Sequence, residues 1–160
     1  MEAGITSLNA DVEEIKVKAD KTTDEVITLR QRQWYLETYQ RRENLRFYGI
    51  PEQFDEQENT REVLVDFMVN QLDLEDAPQF EFQRVHRVGK LDASQCNPRQ
   101  IIARFLCYGD WEQVFSRARQ PKGTGMEISP DLPKGVVDIR KKQIETLKKA
   151  KKEGKRAYFS

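Results

Sequence analysis

The order of hydrophobic periodicities along this chain predicts an α+β fold: a long N-terminal coiled-coil helix, then a ferredoxin-like βαββαβ domain, then a C-terminal basic helix. Three observations carry that expectation. Ile5 to Leu36 keeps an apolar spacing that alternates between three and four, Leu45 to Ile128 alternates short period-two runs with amphipathic stretches, and Lys134 to Arg156 is dominated by lysine and arginine. With 34% charged residues, the 160-residue chain holds too little apolar material for one core of its full length. An extended part joined to a small domain fits better, which divides the chain into 1–43, 44–130 and 131–160.

The coil comes first. Ile5, Val12, Ala19, Val26 and Gln33 fall at heptad position a, and Leu8, Ile15, Thr22, Leu29 and Leu36 at d. The seam runs without proline, and its single glycine lies near the start. β-branched residues at a with leucine at d would favour two strands, but Ile15 and Thr22 at d weaken that preference. The run Arg32-Gln33-Trp34-Tyr35-Leu36-Glu37 resembles a trimer-associated pattern in which an arginine at g and a glutamate at the next e bracket the seam. Gln33 stands where that pattern has an apolar residue; amides around an axis can satisfy one another and fix register. A trimer is therefore favoured over a dimer, with Ile5, Leu8, Val12, Ile15, Val26, Leu29, Arg32, Gln33, Leu36 and Glu37 in its interface. Trp34 and Tyr35 lie outside the seam.

At Arg41–Glu52 the period changes. Leu45-Arg46-Phe47-Tyr48-Gly49-Ile50 alternates with period two and is closed by Pro51, so it reads as a strand with Leu45 and Phe47 on one side and Arg46 and Tyr48 on the other. A cation beside an aromatic on an open sheet face suits a nucleic-acid strand, phosphate to the guanidinium and base to the ring; a solvated edge strand is the plainer alternative. Asn59 and Thr60 are candidate caps for a helix Arg61 to Leu72 with Val63, Leu64, Phe67, Met68 and Leu72 on its apolar stripe. Phe80 to Val88 reads as the second strand, in a register that leaves either Arg84 or Arg87 on the open face and His86 at the surface. After a polar loop, Gln100 to Leu106 is the third strand; with Ile101, Ala103 and Phe105 inward, Gln100, Ile102 and Arg104 share the other face. Asp110 is expected to cap a helix through Arg119 with Trp111, Val114, Phe115 and Ala118 inward. QPKGTG, carrying Lys122, is a turn, Met126 to Ile128 a short fourth strand, and Val136 to Lys152 a helix with a thin stripe of Val137, Ile144 and Leu147.

Charge is unevenly distributed although the formal net charge is zero. Glu52 to Glu81 is acidic with Arg61 as its lone cation, whereas Lys134 to Arg156 is basic, which indicates a basic working face hidden by the average. That basic run is a solvated face, a phosphate-contacting helix or a nuclear-targeting segment. No apolar run approaches the roughly 20 residues that cross a bilayer and the N-terminus has no signal-peptide core, so a soluble intracellular protein is expected, with no membrane partner. Cys96 and Cys107 flank a strand and are too far apart for a disulfide, which makes both free thiols. With His86 as the only histidine, neither a Cys/His metal cluster nor a histidine-based triad can be assembled. No acidic residues have acid/base, nucleophile or metal spacing, so neither an enzyme nor a cofactor is expected.

Strand, helix, strand, strand, helix, strand is the split βαβ arrangement, with helices on one face and an open sheet on the other. In RNA-recognition motifs that open face holds RNA, chiefly through aromatics on the two central strands. Overlaying those motifs places Arg46 where an aromatic stacks and Tyr48 two residues on, then Gln100 and Ile102 at the two exposed aromatic positions with Arg104 beyond. Guanidinium groups largely replace rings, which implies binding that is electrostatic, steep in salt and weak in sequence preference.

NLRFYGIPE, CNPRQIIARF, the helix ending SRARQPKG and MEISPDLPKGVVDIRKKQ together resemble the RNA-binding proteins encoded by the first open reading frame of LINE-type retrotransposons, the transposase-22 family. The resemblance covers Arg41 to about Phe159, and the coil agrees with it. It implies a coiled-coil trimer with a noncanonical RNA-recognition domain and a small C-terminal domain. It also implies binding of single-stranded RNA, with single-stranded DNA as an alternative ligand, and nucleic-acid chaperone activity. The setting it implies is a cytoplasmic ribonucleoprotein of the retrotransposon, with nuclear entry left open. By this resemblance Arg46, Arg99, Arg104 and Arg119 match basic positions used on RNA; Tyr48, Gln100, Lys122, Arg140 and Lys141 complete the candidate contacts. The family's C-terminal domain continues beyond a strand that would start at Arg156-Ala157-Tyr158-Phe159, so the chain reads as a fragment. The competing class is a protein-interaction scaffold whose RNA-recognition-like domain binds a protein while the coil sets stoichiometry.

Overall fold

The computed structural model describes residues 2–53, 57–121, 123–154 and 156. It divides into two units, Met1–Tyr39 with Pro133–Ser160, and Gln40–Leu132.

The first unit consists of helices. Helix α1, Glu2–Arg41, runs 40 residues, about 60 Å at 1.5 Å per residue. It buries nothing within the chain: Ile5, Leu8, Ile15 and Leu29 remain 61%, 65%, 65% and 62% exposed. An isolated helix of this composition gains little from propensity alone, and its apolar seam is left uncovered by the described residues. Local support is modest. Lys18 pairs with Glu14 at 2.6 Å, and Gln33 donates to Glu37 at 2.9 Å. Near its C-terminal end Trp34 lies against Gly135 so closely that a Cβ on that glycine would sit 2.6 to 2.8 Å from indole atoms; any larger residue at position 135 would displace the ring. Tyr35 stays exposed. Helix α4, Lys134–Lys152, starts two residues before the expected Val136 and buries no residue, and Lys149, Lys151 and Lys152 in its last turn complement the helix dipole.

The second unit is a four-stranded antiparallel sheet with helices against one face. Its strands are β1 (Asn44–Tyr48), β2 (Phe82–Arg87), β3 (Ile101–Phe105) and β4 (Glu127–Pro130), arranged β2-β3-β1-β4. Helix α2, Thr60–Leu72, is capped as expected by Asn59, whose side chain accepts from the Glu62 N–H at 3.4 Å. Helix α3 spans Tyr108–Ser116. The core joins Leu45, Phe47, Ile101, Ala103 and Phe105 of the sheet to Leu64, Phe67, Met68 and Leu72 of α2 and Val114 of α3. Phe47 meets Phe67 edge to face at 6.1 Å.

Several expectations are corrected. Asp110 does not cap α3: the helix begins two residues earlier, Cys107 stands at the cap without a side-chain bond, and Asp110 falls in the first turn, where its charge still favours the dipole. Phe115 is 38% exposed instead of inward, because only Val114 of that turn reaches the core. Strand β1 ends at Tyr48, since Gly49 takes φ +77° and turns the chain so that Ile50 enters the core from the loop; a Cβ there would collide with the Gly125 carbonyl. Phe80 precedes β2, closing a short 3₁₀ turn at Ala77–Gln79. Strand β4 extends to Pro130, which lies opposite Leu45.

The register of β2 is settled by a bulge. Phe82 pairs with Phe105 and Arg84 with Arg104, so one extra residue is accommodated between them. Phe82 then meets Phe105 with ring centroids 4.9 Å apart and planes tilted by 57°, while Val85 and Arg87 also turn toward the helix side, leaving Arg84 and His86 on the other. Cys96 and Cys107 are free and exposed. Among the described residues no helix is long and apolar enough to cross a membrane.

Candidate nucleic-acid interface

Period-two alternation in β1 and β3 sends Leu45, Phe47, Ile101, Ala103 and Phe105 into the core and turns Arg46, Tyr48, Ile102 and Arg104 away from it. The ladder sets Arg46 opposite Ile102 and Asn44 opposite Arg104, while β2 contributes Arg84 beside Arg104 and His86 beside Ile102. These side chains, with Arg41, Gln83 and Asp131, line a depression of about 580 Å³ on the face opposite the helices. Arg46 and Arg104 therefore share one face.

Much of this positive charge is already answered from within. Asp131, just past β4 and 5% exposed, accepts from Arg46 Nε at 2.6 Å, Asn44 Nδ2 at 3.0 Å and Arg41 Nη1 at 3.4 Å. Arg46 Nη1 also donates to Gln100 Oε1 at 2.9 Å, which fixes its guanidinium plane. Arg104 Nη2 donates to Glu43 Oε2 at 3.2 Å. Arg84, exposed, has no such acceptor among the described residues. Four arginines against Asp131 and Glu43 leave the depression net positive. On two of the residues that line it, Arg104 Nε and Asn44 Oδ1 are buried without hydrogen-bond partners among the described residues. Unmet groups of this kind cost about 1–3 kcal/mol each.

The remaining candidate residues are dispersed. Arg99 is held at the end of the sheet: Nε donates to Glu52 Oε1 at 2.7 Å, Nη1 to the Gly89 carbonyl at 2.9 Å, and Nη2 also bonds Glu52. Tyr48 is 36% exposed and paired in register with Glu127 toward the β4 edge. Arg119, exposed after α3, lines a separate depression of about 340 Å³ with Pro121, Gly123 and Met126. Arg140 and Lys141 are exposed on α4, in the other unit. Lys122 and the strand start expected at Ala157–Phe159 lie outside the described residues.

Arg99 holds the Glu52 carboxyl below the usual glutamate range, its hydrogen bond outweighing the opposing effect of burial. A depressed native value stabilises the fold above the ordinary glutamate pKa of about 4.3, and that contribution is lost as pH falls through the lower native value. Glu52→Gln should therefore unfold at lower urea than the parent at pH 7. Its midpoint should also change less than the parent's between pH 7 and pH 3; parallel pH profiles would show that the pair contributes nothing.

Reasoning from sequence missed Glu43 and Asp131 as the counter-charges and Arg41 as a lining residue. Asp131 stands in an unremarkable loop, SPDLPKG, and only folding brings it beside Arg46, 85 positions away. Among the described residues no group of His, Cys, Asp and Glu could hold a metal ion. Neither a protein-family model nor a curated protein matches the chain.

Proposed function

We propose that the chain binds single-stranded RNA and acts as a nucleic-acid chaperone in a retrotransposon ribonucleoprotein, working as a coiled-coil trimer of ferredoxin-like, RNA-recognition-type domains. The observation that carries this reading is the arginine-lined depression on the helix-free face of a sheet ordered β2-β3-β1-β4. That order is the one a split βαβ unit produces. The face offers cations and few rings, so phosphate attraction supplies the affinity and sequence preference is weak. Arg84 makes the first contact, Arg104 and Arg46 follow as the strand settles, and the exposed cations of α4, Arg140 and Lys141 among them, add further phosphate contacts. The uncovered seam of α1 gathers several such faces, which raises avidity by local concentration. No cofactor and no catalytic step enter this reading.

A second reading has one observation in its favour. Arg46, Arg99 and Arg104 each hold a carboxylate already, which suits a scaffold whose sheet face binds protein. The two readings separate on Arg84→Glu combined with Arg104→Gln. Arg46 is left intact because reversing it would set a second carboxylate against the buried Asp131. Titrating binding to unstructured RNA against salt should show affinity down by roughly tenfold or more. The log–log slope should become shallower by about 0.7 for each phosphate that the variant no longer neutralises. Unchanged affinity in a variant with the parent's circular dichroism would favour the scaffold.

A further inference from the structure

His86 lines the arginine-rich depression beside Arg84 and Arg104. It is exposed, stands opposite Ile102 in the ladder, and makes no hydrogen bond or ion pair among the described residues. Arg84, two positions before it, is exposed and unengaged in the same way. Residues two apart on a strand project from one face about 6–7 Å from each other. Because β2 is an outer strand of the sheet, these two side chains form a free edge to the depression. The other cations there are held, Arg41 and Arg46 by Asp131 and Arg104 by Glu43. The edge can therefore take a phosphate without first giving up an internal bond, but only one of its two groups is permanently charged.

Imidazole ordinarily gains and loses its proton near neutral pH, which no other kind of side chain in this depression does. The charges that face His86 are few and come from identifiable elements. Arg84 flanks it on β2, Arg104 lies diagonally across on β3, and Arg46 faces Ile102 from β1, with Arg41 and Asp131 beyond. Arg87, its neighbour in sequence, turns to the helix side and is paired there with Glu58. An anion in contact with an imidazole favours the protonated ring, and the protonated ring gives that anion a charge-assisted donor. Phosphate binding and proton binding on such a group reinforce each other, so affinity for the anion rises as pH falls through the range where the ring gains its proton.

We propose that His86 is a phosphate contact of the bound RNA that acts in its protonated form, so that binding by the sheet face is coupled to uptake of a proton from solvent. The coupling rests on RNA binding at that face. It distinguishes this depression from one lined by arginine alone, whose charge does not respond to mild changes of pH. Oligouridine is the probe, because none of its groups titrates where imidazole does, between about pH 5 and 8. The full chain should bind it about three- to tenfold more tightly at about pH 6 than at about pH 8, with a log–log salt slope steeper by about 0.7 at the lower pH. His86→Gln should bind at both pH values as the parent does at the higher one, and His86→Lys, charged throughout this range, as the parent does at the lower one. The position is exposed, so both variants should keep the parent's circular dichroism. His86 is also the single histidine of the chain, which makes its ring resonance unambiguous; at pH 7 that signal should move toward its protonated position as oligouridine is added. Binding that weakens with Arg84→Glu and Arg104→Gln, yet is the same at both pH values or changes equally in His86→Gln, overturns the coupling and leaves RNA binding by the sheet intact. A parent without affinity for oligouridine at either pH overturns both, as does an affinity indifferent to the arginine and histidine substitutions alike.

Discussion

Arg87→Met should lower the unfolding free energy of the sheet unit by about 3–5 kcal/mol, the usual cost of breaking a buried ion pair from one side. Arg87 is 9% exposed and ends β2 on the helix side of the sheet. Its Nε donates to Glu58 Oε1 at 2.8 Å, Nη1 to the carbonyls of Ile50 at 3.0 Å and Arg99 at 2.8 Å, and Nη2 to the Pro51 carbonyl at 2.8 Å. One guanidinium thus ties the loop after β1, the segment before α2 and the entry to β3. Methionine would fill much of the volume but leave the Glu58 carboxylate, whose side chain is 7% exposed, without its cation, and the three carbonyls without a donor. Since a domain of this size has only about 5–15 kcal/mol in total, the variant should be partly unfolded or close to it at room temperature. Adding Glu58→Gln should recover part of the loss by removing the stranded charge. Urea unfolding of the parent, the single and the double variant decides it; a single variant within about 1 kcal/mol of the parent would show that water replaces the guanidinium.

If the chain works as the proposed coiled-coil RNA binder, Val26→Asp with Leu29→Asp should convert it to monomers and weaken binding to long single-stranded RNA by about 10²–10⁴, the range by which linked sites exceed single ones. Both positions lie on the seam of α1, and nothing in the chain covers them: Val26 is 43% exposed and Leu29 62%. Carboxylates there would face one another across the proposed helix interface, where charge is costly even with Arg30 and Arg32 at the flanks of the seam. The sheet unit should keep its fold, because its core draws on no seam residue. Sedimentation velocity reads the mass, and titrations on short and long RNA read the avidity. A monomer that retains full affinity for long RNA would separate oligomerisation from binding, and an unchanged sedimentation coefficient would remove the seam from the interface.

Both predictions turn on features of different legibility. The long helix α1 and strands β1 and β3 could be read because their information is local: an uninterrupted helical spacing in Ile5 to Leu36, and strict alternation in Leu45 to Tyr48 and Ile101 to Phe105. The cap at Asn59 is equally local. Strand β2 resisted, since FQRVHR holds apolar residues at Phe82 and Val85, three apart, and only the bulge opposite Phe105 reconciles that spacing with one buried face. Phe115 misled because helical spacing says which residues share a stripe, not whether another element covers it.

The sequence by itself determined the elements, the long exposed seam and the polarity of the chain, with acids around α2 and cations along α4, because periodicity and composition are properties of neighbours along the chain. Only the tertiary structure decided which arginines share the open face of the sheet. It gathered Arg41, Arg46, Arg84 and Arg104 at one depression, buried Arg87 on the opposite side against Glu58, and set Asp131 against Arg46. An ion pair is chosen by distance in space and by the loss of water around it, and neither is fixed until strands from distant parts of the chain lie side by side.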